Sequence, residues 1–440
     1  MSRRRKPPKE FVTTYVDSLS HDGRGVARIN GKTTFIEGAL PDETVTFRYL
    51  KTKSKYDEGC VENIEIASPK RVEAKCEHYG VCGGCGLQHM SSKEQIQFKQ
   101  NSMLLNMKKI GGIEPSEIFE PLTCEPWNYR RKARLGVKYV QKKGRVLIGF
   151  REKQSRYLAD LTQCKILHSS IGNRLEELAT LVRSLSNFEH VPQIEVAIGD
   201  NQQVLIFRHL TPFVKNDLVS LKDFSQKTGI HVYSQSKGPD TVTRIYPESA
   251  NALLYSLPDF NLELEFLPTD FTQINAEINR LMVARAVHLL AINDNEKVLD
   301  LFCGIGNFSL ALAKRAKLVV GVEGDKALVQ RANKNAQKNQ LNNVEFHYAN
   351  LFEEFITSAW AKEHYDKILI DPPRNGAWEV VSNIKSLNPS KIVYVSCDTA
   401  TLARDAGEIC RQGYQLMGAG VMDMFPHTGH VESIAVFEQK

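Results

Sequence analysis

The chain of 440 residues has no stretch approaching the run of about 20 apolar residues that a membrane-spanning helix needs. Its basic start, Arg3-Arg4-Arg5-Lys6, is followed by Pro7-Pro8-Lys9-Glu10 and not by the apolar core of a secretory signal. Together these absences lead to the expectation of a cytoplasmic protein with no membrane partner. Internal repeats and long low-complexity segments are missing as well, which excludes repeat architectures and linker-dominated chains. The nine cysteines are unevenly spaced and make no secreted disulfide framework. In a reducing compartment such cysteines are thiols, metal ligands or nucleophiles, so each has to be placed separately.

What is present is enough for large cores: 42% of the residues are hydrophobic, and at about 100 to 200 residues per domain the chain should hold several domains. Lys and Arg (57) exceed Asp and Glu (51) for a net charge of +6, with part of the excess near the front in Arg3 to Lys6 and Lys51 to Lys55. A polyanion is a reasonable partner for such a surface, although a solubilising tail and a solvated loop would read the same way.

Three regions follow one another. Residues 11–68 carry short β-rich runs (Phe11 to Val16, Gly25 to Ile29, Thr33 to Ile36, Thr44 to Tyr49) broken by Gly and Asp, the pattern of a small antiparallel barrel. The phrases His21-Asp22-Gly23-Arg24-Gly25-Val26-Ala27 and Pro41-Asp42-Glu43 resemble the TRAM domain, an OB-like barrel, and that resemblance implies RNA binding. Residues 69–268 are of α+β character, with alternating strands at Leu135 to Tyr139 and Val146 to Phe150, a helix at Ile171 to Ser184, and strands near Ile194 to Ile198 and Val204 to His209. This region opens on a cysteine loop, Cys76-x5-Cys82-x2-Cys85. Residues 269–440 alternate strands (Lys297 to Leu301, Leu318 to Val322, Val344 to His347, Lys367 to Ile370, Ile392 to Val395) with helical segments, which predicts a Rossmann-like, doubly wound and mainly parallel α/β sheet.

Within the last region the strand Val298-Leu299-Asp300-Leu301 runs into Phe302-Cys303-Gly304-Ile305-Gly306-Asn307-Phe308. Glycines here permit a tight turn and close approach of a ligand to the backbone. Glu323 ends the next strand, where a carboxylate can accept hydrogen bonds from both ribose hydroxyls of a nucleoside cofactor. The dinucleotide spacing Gly-x-Gly-x-x-Gly is lacking, and Asp300-x-x-Cys303-Gly304-x-Gly306 resembles an S-adenosylmethionine motif instead.

Asp371-Pro372-Pro373-Arg374 follows the strand Lys367 to Ile370, and Cys397 stands just past the strand ending at Val395 and Ser396. Two prolines hold an extended backbone and leave the Asp371 carboxylate free to face a ligand. Amino-methylating enzymes resemble this tetrapeptide but have an aromatic residue where Arg374 stands, so another chemistry is favoured. C5 of uracil is a poor nucleophile. A thiolate adding at C6 converts the ring to an enolate that can attack a methyl sulfonium, and Cys397 is placed for that role. The C5 proton must then leave, and Glu432, in a His/Gly-rich loop leading into a final strand at 434–437, is the best-placed base, ahead of His427 and His430.

Taken together, Asp300 to Phe308, Asp371 to Arg374, Ser396-Cys397-Asp398 and Pro426 to Glu432 resemble, in order, the RNA uracil-5-methyltransferase family. The resemblance implies Cys397 as nucleophile, Glu432 as proton acceptor, and S-adenosyl-L-methionine contacts from Gln273, Phe302, Asn307, Glu323, Asn350 and Asp371. Asn350 departs from the acidic residue common at its position. Cys76, Cys82 and Cys85, completed by Cys164, give four thiolates, and spacing alone leaves zinc and iron-sulfur both open. Family members with this cysteine pattern carry a [4Fe-4S] cluster, and by resemblance so would this chain. Barrel and cysteine loop together resemble the members acting on 23S ribosomal RNA, whose target is a uridine in an unpaired loop; Arg130, Arg131, Lys132 and Arg134 are candidates to hold its phosphates, although an exposed strand face explains them nearly as well, and no obligate protein partner is evident. Two other readings stand beside this one: methylation of another RNA or of an exocyclic amine, and a non-catalytic RNA-binding assembly factor.

Overall fold

The computed structural model describes residues 7–440, so the basic run Arg3 to Lys6 lies outside the described residues. The chain divides into two compact units. One comprises the chain up to Lys99 with Phe150–Ala159 and Phe425–His430, and the other comprises Gln100–Gly149, Asp160–Met424 and Val431–Lys440.

The first unit is built on a six-stranded sheet in the order Phe11–Tyr15, Thr44–Thr52, Tyr56–Ile66, Lys32–Glu37, Gly25–Ile29, Ser18–Leu19. Alternate inward residues, among them Val16, Ala27, Ile36, Val45 and Phe47, form its core. Glu43, from the Pro41-Asp42-Glu43 phrase, is fully buried and braces this core. It accepts the Leu40 N–H at 2.8 Å and pairs with Arg71 through both oxygens, at 2.5 and 2.8 Å. Burial alone would raise its pKa, but Arg71 and the backbone donors hold it below the usual carboxylate range. The lysine run is partly neutralised, since Lys51 and Lys53 both reach Glu58, at 3.1 and 3.0 Å.

The second unit contains two large sheets and the two-stranded hairpin Leu253–Leu257 and Leu262–Phe266. Its first has the order Val242–Tyr246, His231–Gln235, Gln203–Arg208, Gln193–Ile198, Lys132–Val140, Arg145–Gly149, and is antiparallel except between Gln203–Arg208 and His231–Gln235. The helix expected at Ile171 to Ser184 is broken into Ser169–Gly172 and Leu175–Ser184. Gly172 explains the break: a Cβ there would meet the Cys164 carbonyl at 2.3 Å, so the backbone presses against the Cys164 turn and cannot continue straight.

The other sheet has eight strands in the order Val344–Tyr348, Leu318–Glu323, Lys297–Leu301, Lys367–Ile370, Lys391–Ser396, Glu432–Gln439, Tyr414–Met422, Glu117–Ile118. Its central strands are parallel and apolar on successive residues, as in Lys-Ile-Leu-Ile, where every residue is buried, because both faces are covered. Strand order reverses between Lys297–Leu301 and Lys367–Ile370, the place where such sheets open a ligand crevice at their carboxyl ends. The final strand is longer than expected and begins at Glu432 itself. The doubly wound α/β expectation for residues 269–440 therefore holds, with antiparallel strands added at one side.

Candidate active site

The site is assembled by strand ends. Lys391–Ser396 lies between Lys367–Ile370, which runs parallel to it, and Glu432–Gln439, which runs antiparallel. The antiparallel register sets Ser396 against Ser433, and the Ser433 hydroxyl donates to the Ser396 carbonyl at 3.1 Å. Cys397 is the residue that follows this last pair on one strand and Glu432 the residue that precedes it on the other, and the Glu432 carboxylate acts electrostatically on the Cys397 thiol. Asp371, whose N–H donates to the Leu301 carbonyl at 3.2 Å, ends the neighbouring strand. Past Cys397 the chain turns at once into the helix Thr399–Arg411, because Asp398 caps it by accepting from the Ala400 and Thr401 N–H groups at 2.9 and 3.1 Å.

These groups sit in a field of one sign. Burial pushes the Cys397 thiol up to about 11, and the Glu432 and Asp371 carboxylates add to the rise while Arg374 opposes it. Glu432, 3% exposed, is raised well above the carboxylate range, chiefly by burial, then by Asp371, again against Arg374. Burial brings Asp371 to about 7. Arg374, whose side chain is exposed, is a cation acting on this cluster. The arrangement suits a thiol that ionises when a substrate arrives and, in Glu432, a carboxyl whose raised pKa favours holding a proton.

The expected cofactor residues gather next to this cluster. The turn after Leu301 is held by N–H donation from Phe302 and Cys303 to the Val322 carbonyl, at 2.9 and 3.1 Å. Phe302 takes a left-handed φ of 65°, a strained conformation for a side-chain-bearing residue, and its ring packs on Phe352 at 5.6 Å. Gly304, at φ 56°, faces open space where a Cβ would meet nothing within 4 Å. Its N–H reaches one Glu323 oxygen at 3.0 Å, and the Asp325 N–H reaches the other at 3.0 Å. Each oxygen keeps a lone pair for a ribose hydroxyl. Asn350 follows the adjacent strand and is engaged locally, its amide donating to Glu353 at 2.6 Å and its oxygen accepting from Phe352 N–H at 3.2 Å. Gln273 lies in the segment before the helix Ala276–Leu290. This open glycine cradle with a carboxylate at its rim fits a nucleoside cofactor.

Asp300 does more than complete the motif: it is fully buried, takes a hydrogen bond from the Ser309 hydroxyl through one oxygen, and its other oxygen has no hydrogen-bond partner among the described residues. Two amides, Asn307 and Asn279, are paired face to face beneath the turn, a contact between distant segments that leaves no signal in local spacing.

Several sequence candidates have structural employment. The Lys132 ammonium donates to the Pro268 and Asp270 carbonyls, both at 2.7 Å, Arg131 pairs with Asp200, and Arg130 donates to the Lys132 carbonyl at 3.0 Å. Lys132 and Arg130 thus tie down backbone and Arg131 an acid, whereas the exposed Arg134 lies 3.5 Å from Glu195. In the first unit, His427 is buried, its N–H donates to the Gln95 side chain at 2.8 Å, and its carbonyl accepts from Gly86 and Leu87 at 2.8 and 3.0 Å. It supports the cysteine loop through these contacts.

Cys76, Cys82 and Cys85 lie in that first unit, on a turn where the Gly84 N–H approaches the Cys82 sulfur at 3.4 Å, a contact that suits a ligating thiolate. Cys164 is buried in the second unit, its N–H donating to the Gly172 carbonyl at 2.9 Å. Among the described residues no group of three or more His, Cys, Asp or Glu side chains is gathered to hold a metal ion. No helix is long and apolar enough to cross a membrane.

Comparison with known proteins gives two family matches: tRNA (Uracil-5-)-methyltransferase over residues 91–440 and the TRAM domain over residues 12–61. The 23S rRNA (uracil(1939)-C(5))-methyltransferase RlmD of Alcanivorax borkumensis is 52% identical over 441 residues, covering 100% of this chain and 99% of its own. That of Francisella tularensis subsp. novicida is 49% identical over 431 residues, 96% of each chain. Among solved structures, the Pyrococcus abyssi tRNA (uracil-54, C5)-methyltransferase in complex with S-adenosyl-L-homocysteine superposes with a TM-score of 0.74 over 97% of this chain and 100% of its own, at 23% identity. That likeness establishes a common fold.

Proposed function

Because this chain belongs to the tRNA (Uracil-5-)-methyltransferase family, we propose that it transfers a methyl group from S-adenosyl-L-methionine to C5 of a uridine in 23S ribosomal RNA. The full-length relatives near 50% identity carry the choice of ribosomal RNA, and the TRAM domain supports RNA binding. The observation that supports the chemistry is the register ending at Ser396 opposite Ser433, which leaves Cys397 and Glu432 at adjoining strand ends, next to the strand that Asp371 follows.

The Cys397 sulfur adds as a thiolate to C6 of the uracil, and the electron pair of the C5–C6 bond moves into an enolate. Bound S-adenosylmethionine supplies an electrophilic sulfonium methyl. Once C5 carries that methyl, the Glu432 carboxylate takes the C5 proton, the C5–C6 double bond re-forms, and the sulfur leaves C6 as thiolate. Arg374 favours the ionised sulfur and the enolate alike, while the negative field of Asp371 and Glu432 suits a cationic donor. Phe302, Asn307, Glu323 and the Gly304 cradle hold the cofactor, with Gln273, Asn350 and Asp371 at its edges. The target uridine has to leave its stack to reach the strand ends, which costs a few kcal/mol and less in an unpaired loop. Such a substrate places the enzyme in the cytoplasm.

The test is a 23S RNA fragment with 5-fluorouridine at the target, incubated with enzyme and cofactor. Fluorine cannot leave as a proton does, so a stable protein–RNA adduct forms with the native chain and is lost in Cys397→Ala. An active enzyme that forms no adduct overturns the covalent mechanism, and methylation of transfer RNA in place of the ribosomal fragment overturns the substrate.

A second part of the proposal assigns Cys76, Cys82, Cys85 and Cys164 to a [4Fe-4S] cluster with a structural or RNA-positioning role. The four-cysteine pattern and the N–H donor to the Cys82 sulfur support it. Iron, zinc and sulfide analysis of anaerobically purified protein decides it: about four irons and four sulfides per chain are expected, and stoichiometric zinc overturns the assignment.

A further inference from the structure

Two segments of the second unit converge on one face of the cofactor turn. The hairpin Leu253–Leu257 and Leu262–Phe266 brings Tyr255, and the helix Ala276–Leu290 brings Asn279. The Tyr255 hydroxyl donates to Asn307 Oδ1 at 2.9 Å. Asn279 Nδ2 donates to the same oxygen at 3.0 Å, and Asn307 Nδ2 donates back to Asn279 Oδ1 at 2.9 Å.

This is a reciprocal amide pair with a third donor on one carbonyl. An amide oxygen has two lone pairs, and both of those on Asn307 are engaged. Of its two amide protons one is engaged. Rotating the Asn307 amide by half a turn would set its NH2 group against the Asn279 NH2, so the orientation is determined by the network. Asn279 is 4% exposed, and an unpaired amide there would carry a desolvation cost. The single group left for Asn307 to offer a ligand is therefore one N–H.

The position of that donor narrows what it meets. Glu323 marks the ribose side of the turn, and Asn350 lies beyond it on the next strand outward. Asn307 is on the opposite limb, joined to a helix that packs against Lys391–Ser396 and Glu432–Gln439, the strands of Cys397 and Glu432. A nucleoside cofactor whose ribose is at Glu323 and whose methyl faces Cys397 extends its amino-acid end along this limb. Its ammonium has no lone pair, so the group there that accepts from an N–H is the carboxylate.

We propose that Tyr255 and Asn279 are positioning residues that hold the Asn307 amide as a fixed donor to the carboxylate of the cofactor's methionyl end. This rests on the reading of the Asp300 to Phe308 turn as the S-adenosylmethionine site. Neither residue touches the reacting atoms. Their contribution is orientation, which keeps the Asn307 N–H from being lost to an alternative rotamer and so lowers the ordering cost of binding.

The experiment uses two ligands and the full chain. S-adenosylhomocysteine carries the amino-acid carboxylate, and 5′-methylthioadenosine carries the same nucleoside without it. Binding of each is measured by calorimetry to the native protein, Tyr255→Phe and Asn307→Asp. Tyr255→Phe should weaken S-adenosylhomocysteine by about three- to tenfold, the loss of one net hydrogen bond, and leave methylthioadenosine unchanged. Asn307→Asp, which sets a carboxylate against a carboxylate, should weaken S-adenosylhomocysteine by a larger factor with the same selectivity. In turnover, Tyr255→Phe should raise KM for S-adenosylmethionine with kcat changed far less. Equal weakening of both ligands means that the network merely braces the turn and overturns the proposal, as does no change in either. A native protein that binds neither ligand overturns the reading of the site itself.

Discussion

Asp300 offers a measurement in which one buried proton reports on the whole cofactor turn. The side chain is fully buried, one oxygen takes the Ser309 hydroxyl, and the other has no hydrogen-bond partner among the described residues. Burial raises its pKa from 3.8 to about 7, with the negative charges of Asp371 and Glu323 acting in the same direction and Ser309 opposing. A carboxyl with a raised folded pKa binds its proton more tightly in the native state. Its stabilising contribution is complete below 3.8 and is lost as pH climbs to about 7, with no further change above. The interval of about three pKa units, at 1.36 kcal/mol each, amounts to ~4 kcal/mol, of which ~3 kcal/mol falls between pH 5 and pH 8. Asp300→Asn does not titrate. Whatever the substitution costs in packing is the same at every pH, and other titrations cancel when the two proteins are compared. Urea unfolding of both, followed by tryptophan fluorescence at pH 5, 6, 7 and 8, should show the variant gaining about 3 kcal/mol on the native protein over that range. Parallel stability curves, or a variant that loses ground as pH rises, would refute the account of Asp300 as a buried acid protonated below about pH 7.

Three further outcomes follow from the site. Glu432→Gln keeps the nucleophile and removes the proton acceptor, so methylated RNA should stay joined to Cys397; denaturing gels with ordinary uridine RNA and cofactor should show the adduct accumulate while turnover falls by about 10² to 10⁴, and release at the native rate would exclude Glu432 as the base. Gly304→Ala meets no atom within 4 Å but must hold a φ of 56°, so unfolding free energy should drop by only about 1 kcal/mol, while calorimetry should register a much larger loss of S-adenosylhomocysteine affinity because the new methyl projects into the cradle. With the Cys397 thiol at about 11, the rate of adduct formation on 5-fluorouridine RNA should rise steadily with pH from 6.5 to 9, and Arg374→Ala should lower it at each pH by removing the opposing cation; a plateau reached by pH 7 would mean that the thiolate forms by another route.

Much of this arrangement was legible in the sequence because it rests on local rules. Apolar runs such as Lys367 to Ile370 and Ile392 to Val395 can be little else than buried parallel strands, and Asp300 to Phe308 is a strand, a glycine turn and a helix start within a few residues. The helix expected from Ile171 to Ser184 failed at Gly172 because its break is caused by the Cys164 carbonyl, which no periodicity within the helix reveals. The basic cluster Arg130 to Arg134 was open to a phosphate-binding reading because charge can be counted in a sequence, whereas the carbonyls of Pro268 and Asp270 that occupy Lys132 cannot. His427, the lesser candidate beside Glu432, is held by Gln95 and holds Gly86 and Leu87, contacts between segments distant in the chain that local spacing does not reveal.

The pairing of Cys397 with Glu432 marks where local rules end. Each was singled out for standing near a strand end, and strand ends are numerous in this sheet. What makes them partners is that the last strand returns antiparallel beside Lys391–Ser396, in a register that brings Ser433 to Ser396. A one-residue slip would turn the Glu432 side chain to the opposite face of the sheet and leave the half-buried Cys397 thiol without a base. The register is held by the apolar faces of both strands, fully buried from Ile392 to Val395 and from Ser433 to Phe437, and by the Ser433 hydroxyl on the Ser396 carbonyl. Catalytic geometry is in this sense a by-product of core packing several residues away, so substitutions at Val393 or Val436 that loosen the sheet should impair proton removal before they unfold the protein.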